Sequence, residues 1–204
     1  MRVPIIKAVE ELKNVTPFQV ENLLWGTKAI PKTYVYLGFI PGDGFRLRMI
    51  CEEKNPLRTF TNEQEPVYRD SALEAFFQFE PGRTGNSSEI YLNFEVNANG
   101  ALLAAYGRER TYRTYFEKGD MKAFECKVLV EEEQWSVELR IPINVLEKIY
   151  GELHLGAGSI FRCNFYKISE SVDIEHYASY APIRSEVPSF HLPEFFATAE
   201  IVEG

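Results

Sequence analysis

A period-two alternation of apolar and polar residues is the feature that most constrains this chain. In Trp135-Ser-Val-Glu-Leu-Arg-Ile141 the side chains of Trp135, Val137, Leu139 and Ile141 share one face, the signature of a half-buried strand. Runs rich in β-branched and aromatic residues recur at Thr33–Ile40, Gly44–Cys51, Leu73–Phe79, Glu89–Val96 and Ala101–Tyr106. They continue at Lys122–Val130, Trp135–Ile141, Ser159–Ile168 and Phe195–Ile201. Turn formers separate them: Pro41-Gly42-Asp43-Gly44, Pro81-Gly82, Asn97-Ala98-Asn99-Gly100 and Gly119-Asp120. Closely spaced strands with such punctuation predict an all-β chain, a single antiparallel β-sandwich with jelly-roll or immunoglobulin-like layers. One short helix is expected over Pro142–Ile149, with Pro142 in its first turn.

A chain of 204 residues suits one such domain spanning 1–204, large enough to bury its core without disulfide staples. No repeat, linker or low-complexity tract divides it. Cys51, Cys126 and Cys163 are odd in number and widely spaced, so they are read as small buried hydrophobes rather than a zinc knuckle. The N-terminal Met-Arg-Val-Pro-Ile-Ile-Lys has no apolar leader core, and no run approaches a membrane span. A cytoplasmic location is therefore expected for the sequence as it stands, or an extracellular one if a leader has been removed.

The formal net charge of −8 argues against nucleic-acid phosphates and anionic membranes as partners. A neutral ligand is indifferent to it. Aromatic residues make up 14% of the chain; they favour strands, and some are expected to serve as contact surfaces.

Several groupings are candidates for chemistry. Asp70 and Glu74 lie four residues apart, a spacing that puts them on one strand face and makes them candidates for an acid–base pair. Arg108, Arg110 and Arg113 follow Gly107 and offer guanidinium donors to hydroxyls or a carboxylate. His154, His176 and His191 are scattered, and no nucleophile elbow, phosphate loop or dinucleotide fingerprint is present.

Taken in order, six segments resemble the carbohydrate-binding module family 9-like domains, relatives of the DOMON haem- and sugar-binding sandwiches. They are Val67–Phe77, Tyr91–Gly100, Ala105–Arg108, Arg162–Lys167, His176–Ile183 and Ser189–Phe196. The resemblance spans about residues 30 to 202 and implies a non-catalytic domain holding a mono- or oligosaccharide between two aromatic rings. The family's clamping tryptophans match Tyr68 and Tyr180 here, and Arg69, Asn97, Arg108, Asn164 and Lys167 are the polar neighbours expected beside them. No cofactor is expected, although some relatives hold structural calcium, for which Asp70, Glu74 and Glu95 would be the oxygen donors. Two rival readings remain open. One is a sandwich-fold glycoside hydrolase or lyase using Asp70 and Glu74. The other is a haem-binding domain with Met49 or Met121 and His176 as axial ligands.

Overall fold

The computed structural model describes residues 1–80 and 89–204. The Pro81-Gly82 turn expectation lies outside them. The strands are β1 (Arg2–Pro4), β2 (Phe18–Val20), β3 (Asn22–Leu23), β4 (Thr33–Ile40), β5 (Gly44–Cys51), β6 (Ala72–Phe79) and β7 (Tyr91–Asn97). They continue as β8 (Leu102–Gly107), β9 (Thr114–Tyr115), β10 (Lys127–Val130), β11 (Trp135–Pro142), β12 (Ile160–Ser169), β13 (His176–Ser179) and β14 (Ala197–Val202). Two helices, α1 (Lys118–Ala123) and α2 (Ile143–Tyr150), complete the regular structure with short 3₁₀ turns.

The strands form two sheets that are not closed into a barrel. The larger runs β1-β14-β12-β6-β7-β8-β9, with β13 and β3 added beside β12, and the smaller runs β10-β11-β5-β4-β2. All pairings are antiparallel except β1 with β14. Alternation sends Leu73, Ala75, Phe77 and Phe79 of β6 inward, with Phe161, Cys163 and Phe165 of β12. They meet Leu37 and Phe39 of β4, Phe45 and Leu47 of β5, and Leu139 and Ile141 of β11 in one core. Removing a ring such as Phe77 from that core would cost about 3–5 kcal/mol, transfer and cavity terms together.

The β4–β5 hairpin turns at Gly42 and Gly44. At Gly44, φ is +139° and a Cβ would lie 2.2 Å from the carbonyl oxygen of Ile141, so β11 packs where only glycine leaves room.

Two sequence expectations need correction here. The region Lys122–Val130 is not one strand, and Gly119-Asp120 is not a turn between strands. Residues Lys118–Ala123 form α1, and only Lys127–Val130 continues as strand. Met121 and Phe124, three apart, drop into the core beside Phe94 and Phe116, so tertiary burial at helical spacing overrides the glycine's turn preference. The described residues therefore hold two α-helices, not one. Of the cysteines, Cys51 and Cys163 are buried as expected, and Cys126 is only half-buried. Among the described residues no helix is long and apolar enough to cross a membrane.

Positioning of the site depends on the other face of the larger sheet. A strand at the centre of a one-sided sheet should alternate buried and exposed, yet every residue of β6 and β7 is buried. The covering layer is the chain segment between β13 and β14, together with Leu24. Ile183, Phe190 and Phe196 pack there on Ala72, Phe76, Tyr91, Tyr166 and Ile168. The segment has room to cross because β12 lends one edge to two strands, β14 at Ile160–Cys163 and β13 at Tyr166–Ser169.

Candidate functional site

The covering layer leaves part of the outer face open, and there a pocket of about 200 Å³ lies over β6, β7 and β8. Its floor is made by outward residues of adjacent strands: Glu74 of β6, Asn93 and Glu95 of β7, and Leu103 and Ala105 of β8. Glu74 and Glu95 are direct register partners, 2% and 4% exposed. Burial pushes both carboxyls up from the usual carboxylate range, and for Glu74 the neighbouring Glu95 and Glu170 push in the same direction.

Arginine sets the orientation of the floor. Arg113, arriving just before β9, donates from Nη2 to the Tyr91 carbonyl at 3.0 Å and to Asn93 Oδ1. Its guanidinium carbon lies 4.2 Å from the centre of the Tyr91 ring, a cation–π contact. Asn93, held at its oxygen, presents its amide to Glu95 Oε1 at 3.0 Å. Glu95 Oε2 is buried and has no hydrogen-bond partner among the described residues. Across the pocket, Tyr91 Oη and His191 Nδ1 are 3.0 Å apart. Burial, with Arg113 and Arg110 nearby, lowers the His191 pKa to about 3, so the ring is neutral.

The walls are aromatic. Tyr68 comes from a 3₁₀ turn, Val67–Arg69, and its carbonyl accepts from the Glu170 amide at 2.9 Å, which brings Glu170 to the same rim. Tyr177 of β13 pairs with Ile168 and stands on the outer face. Trp25 meets it edge-on, ring centres 5.4 Å apart and planes at 77°, while Trp25 Nε1 donates to the Ser185 carbonyl at 2.8 Å. Trp25 has φ of +47°, left-handed backbone that a bulky residue rarely adopts and that the surrounding contacts must impose. Arg110, Pro188, Ser189 and Phe190 complete the mouth.

Of the residues named from sequence, the structure brings Tyr68, Glu74, Glu95, Arg110, Arg113 and His191 to this pocket. The others lie elsewhere. Tyr180 is half-buried on the inner side of the sheet, edge-on to Phe18 and Phe165 at ring distances of 5.4 and 6.3 Å. Alternation explains it: Ala178 faces the inter-sheet core, so Tyr177 and Tyr180, three positions apart, point to opposite sides. Asn164 is fully buried and exchanges two hydrogen bonds with the backbone of Ala181, pinning the chain after β13. Lys167 is also sealed inside, its Nζ 2.5 Å from Ser71 Oγ, 3.0 Å from His176 Nε2 and 3.5 Å from Glu53 Oε2. Asn97 is buried, donating to Asp70 Oδ2 at 2.7 Å and to the Phe60 carbonyl at 2.9 Å. Arg69 and Arg108 are exposed and do not line the pocket, Arg108 lying 4.0 Å from Glu89.

Asp70 and Glu74 are not brought together. Asp70 accepts from Thr59 N, Thr59 Oγ1, Phe60 N and Asn97 Nδ2, which ties down the segment leading to Tyr68. Of the three oxygen donors named for calcium, Glu74 and Glu95 meet on the pocket floor and Asp70 lies outside it. Among the described residues no three His, Cys, Asp or Glu side chains converge to hold a metal ion. Met49 and Met121 belong to the inter-sheet core, and His176 is hydrogen-bonded to Lys167 and the Ile174 carbonyl, so the haem candidates do not face one another across a cavity.

Sequence reasoning missed Trp25 and Tyr177 as wall residues and Asn93 and Glu95 as a polar floor. The polar residues at every second position in Asn93-Phe-Glu95, with Phe94 between them, signal an outward polar face. A second cleft of about 240 Å³ near Tyr106, Lys148 and Asp120 has fewer convergent polar groups, and its Lys148 and Asp120 pair with each other at 2.5 Å.

The family model described as carbohydrate-binding family 9 matches residues 6–201. A sequence search of the curated proteins finds no match. Among solved structures, a candidate carbohydrate-binding protein from Bacteroides uniformis superposes with a TM-score of 0.78 at 21% identity, covering 98% of each chain. A family 9 module from Caldicellulosiruptor kristjanssonii in complex with glucose gives 0.69 at 14% identity, covering 100% of this chain and 96% of its own. The module from that organism in complex with cellotriose gives 0.64 at 15% identity, covering 100% and 95%.

Proposed function

The chain belongs to carbohydrate-binding family 9, and from this premise we propose that it is a non-catalytic domain that grips one sugar ring in the outer-face pocket, against Tyr68 and Tyr177. The observation that carries the reading is the pocket's construction: buried polar groups converge on its floor while aromatic rings form its walls. A pyranose has the matching anatomy, apolar C–H faces that pack on flat rings and hydroxyls that project to hydrogen-bonding groups. The pocket's 200 Å³ is below the roughly 300–1,000 Å³ of sites for drug-sized ligands, which favours a single ring with any further units outside the mouth.

Charge supports a neutral ligand. Arg110 and Arg113 face Glu74, Glu95 and Glu170 in the same pocket, so neither sign prevails there. The glucose and cellotriose held by the Caldicellulosiruptor modules make glucose and its short β-linked chains the first ligands to try. The match over residues 6–201 fits the chain acting as one such binding unit. Binding without hydrolysis is favoured by the family match and because Asp70, the expected partner of Glu74 in hydrolysis, is held by Thr59, Phe60 and Asn97 away from the pocket.

Isothermal titration with glucose and cellotriose tests the reading. Wild-type protein should bind, and Tyr68→Ala and Tyr177→Ala should each weaken binding by about tenfold or more, the loss of one stacking surface. Affinity unchanged in the double variant would refute the stacking.

A further inference from the structure

Two carboxyl side chains placed directly opposite each other on neighbouring strands are an unfavourable arrangement, and here it is built into the floor of the pocket. Glu74 and Glu95 are cross-strand partners leaving one face, a relation that sets Cβ atoms about 4.5–5.5 Å apart. Both are almost wholly buried, and among the described residues neither forms an ion pair within 4 Å. The Asn93 amide satisfies one oxygen, Glu95 Oε1, and the other, Oε2, has no partner.

The two arginines of the pocket offset the pair only in part. Arg113 acts to lower the Glu95 pKa but does not overcome burial; its Nη2 donates to Tyr91, Ala105 and Asn93, and its Nε has no hydrogen-bond partner among the described residues. Arg110 stands at the mouth beside the Pro188 carbonyl. Glu170, at the rim, adds a third negative charge, while Lys167 on β12 points to the opposite face of the sheet. Tyr166, the register partner of Glu74 on its other side, Tyr91, Tyr177 and His191 are uncharged at neutral pH, Tyr115 stands at the same lining, and β8 contributes only Leu103 and Ala105.

We propose that Glu74 and Glu95 share one proton and read neighbouring hydroxyls of the bound sugar, the protonated carboxyl donating to one and the ionised carboxyl accepting from the next. The inference rests on the pocket being the sugar site. A neutral polyol supplies both a donor and an acceptor from each hydroxyl, so a sugar hydroxyl can donate to the unpartnered Glu95 Oε2 while its neighbour accepts from Glu74. Burial pushes Glu95 up to about 7, and Glu74 is raised with it, so the shared proton is held through mild acidity. Once alkali removes it, two carboxylates abut, the donor is lost, and the sugar must bind against their repulsion. Affinity then falls as pH rises, by at most tenfold per pH unit for one linked proton.

The test is titration calorimetry of the full chain with glucose and cellotriose from pH 5.5 to 9, repeated in buffers of different ionisation heat. The expected result is binding that weakens by about tenfold between pH 6 and pH 9, with proton uptake on binding at pH 8. Glu95→Gln and Glu74→Gln, both checked for native circular dichroism, should lose this pH dependence whatever their absolute affinity. Sugar binding that is flat with pH in the wild type overturns the shared proton and leaves the sugar reading standing. Affinity that rises with pH, or glucosamine preferred to glucose at pH 8, also overturns it, because the pair would then act as an anionic site. Absence of binding to either sugar at every pH overturns both.

Discussion

Lys167 Nζ and Glu53 Oε2 lie 3.5 Å apart inside the sandwich, an ion pair that ties the larger sheet to the segment following β5. The lysine is wholly buried and the carboxylate largely so, at 0% and 14% side-chain exposure. Glu53 also accepts from Ser71 Oγ and Trp135 Nε1 at 2.5 and 3.0 Å. Lys167, Ser71 and Trp135 together hold the Glu53 pKa below its ordinary value against the effect of burial.

Breaking this pair should be costly because the surviving ammonium has no route to water. Glu53→Ala is expected to destabilise the fold by about 3–5 kcal/mol. Replacing both partners, as Glu53→Leu with Lys167→Met, should recover much of that loss. Urea midpoints of the three proteins check it, and equal losses in single and double variants would contradict it.

Asp70→Ala should damage both stability and binding. It strips three hydrogen bonds from the segment that precedes Tyr68 and one from the buried Asn97 amide, leaving the part-buried amides of Thr59 and Phe60 without their acceptor. We expect a loss of about 2–4 kcal/mol, and several degrees or more in thermal midpoint for a chain of this length. Glucose affinity should weaken although residue 70 does not line the pocket. Asp70→Asn, which keeps part of the acceptor set, should fall between.

Gly44→Ala is expected to cost about 2–3 kcal/mol or more, since its Cβ would sit 2.2 Å from a backbone oxygen and φ is positive. The same change at Gly119, where nothing lies within 4 Å and the backbone is helical, should be neutral or stabilising by up to about 1 kcal/mol. Thermal melts of the two variants separate close packing from simple chain entropy.

The carboxyl pair predicts a pH effect on stability as well as on binding. A carboxyl whose pKa is higher folded than unfolded binds more protons when folded, so its contribution is greatest below about pH 4.3 and is lost as pH rises through the folded value near 7. His191, lowered to about 3, acts in the other direction and loses stability as pH falls below about 6.5. Glu95→Gln should therefore be more stable than wild type at pH 8, by on the order of 1–3 kcal/mol, with the difference shrinking toward pH 5. Denaturant titrations at both pH values measure it.

Fluorescence offers a direct view of the pocket. Trp25 stands at its wall and Trp135 is fully buried between the sheets. Glucose should change the emission of the wild type, and Trp25→Phe should abolish the change while leaving the buried Trp135 signal.

Much of the framework was legible in the sequence. Strands β4 and β5 have the bounds that alternation and the Pro-Gly-Asp-Gly turn set for them, and α2 begins one residue after Pro142, as helix-start chemistry requires. These are local signals, each carried within a few residues of backbone. Tyr68 was reachable in the same way, through a segment whose order and residue types resemble a known family.

The site as a whole was not. Lys167 and Asn164 look like surface polar residues in sequence, yet the inward side of β12 takes Lys167 into the core and Ala181 occupies Asn164. Tyr177, not Tyr180, reaches the pocket because β13 is four residues long, too short for its alternation to show which side faces out. Glu74 and Glu95 are 21 positions apart and become a pair only through the register of β6 on β7. The amino-acid order by itself determined where strands run, where they turn and which family they resemble, because those depend on neighbours along the chain. Tertiary structure alone decided which face is covered, which rings meet and which carboxyls are forced together, because strand register and the path of the segment crossing the sheet join residues that no local pattern connects.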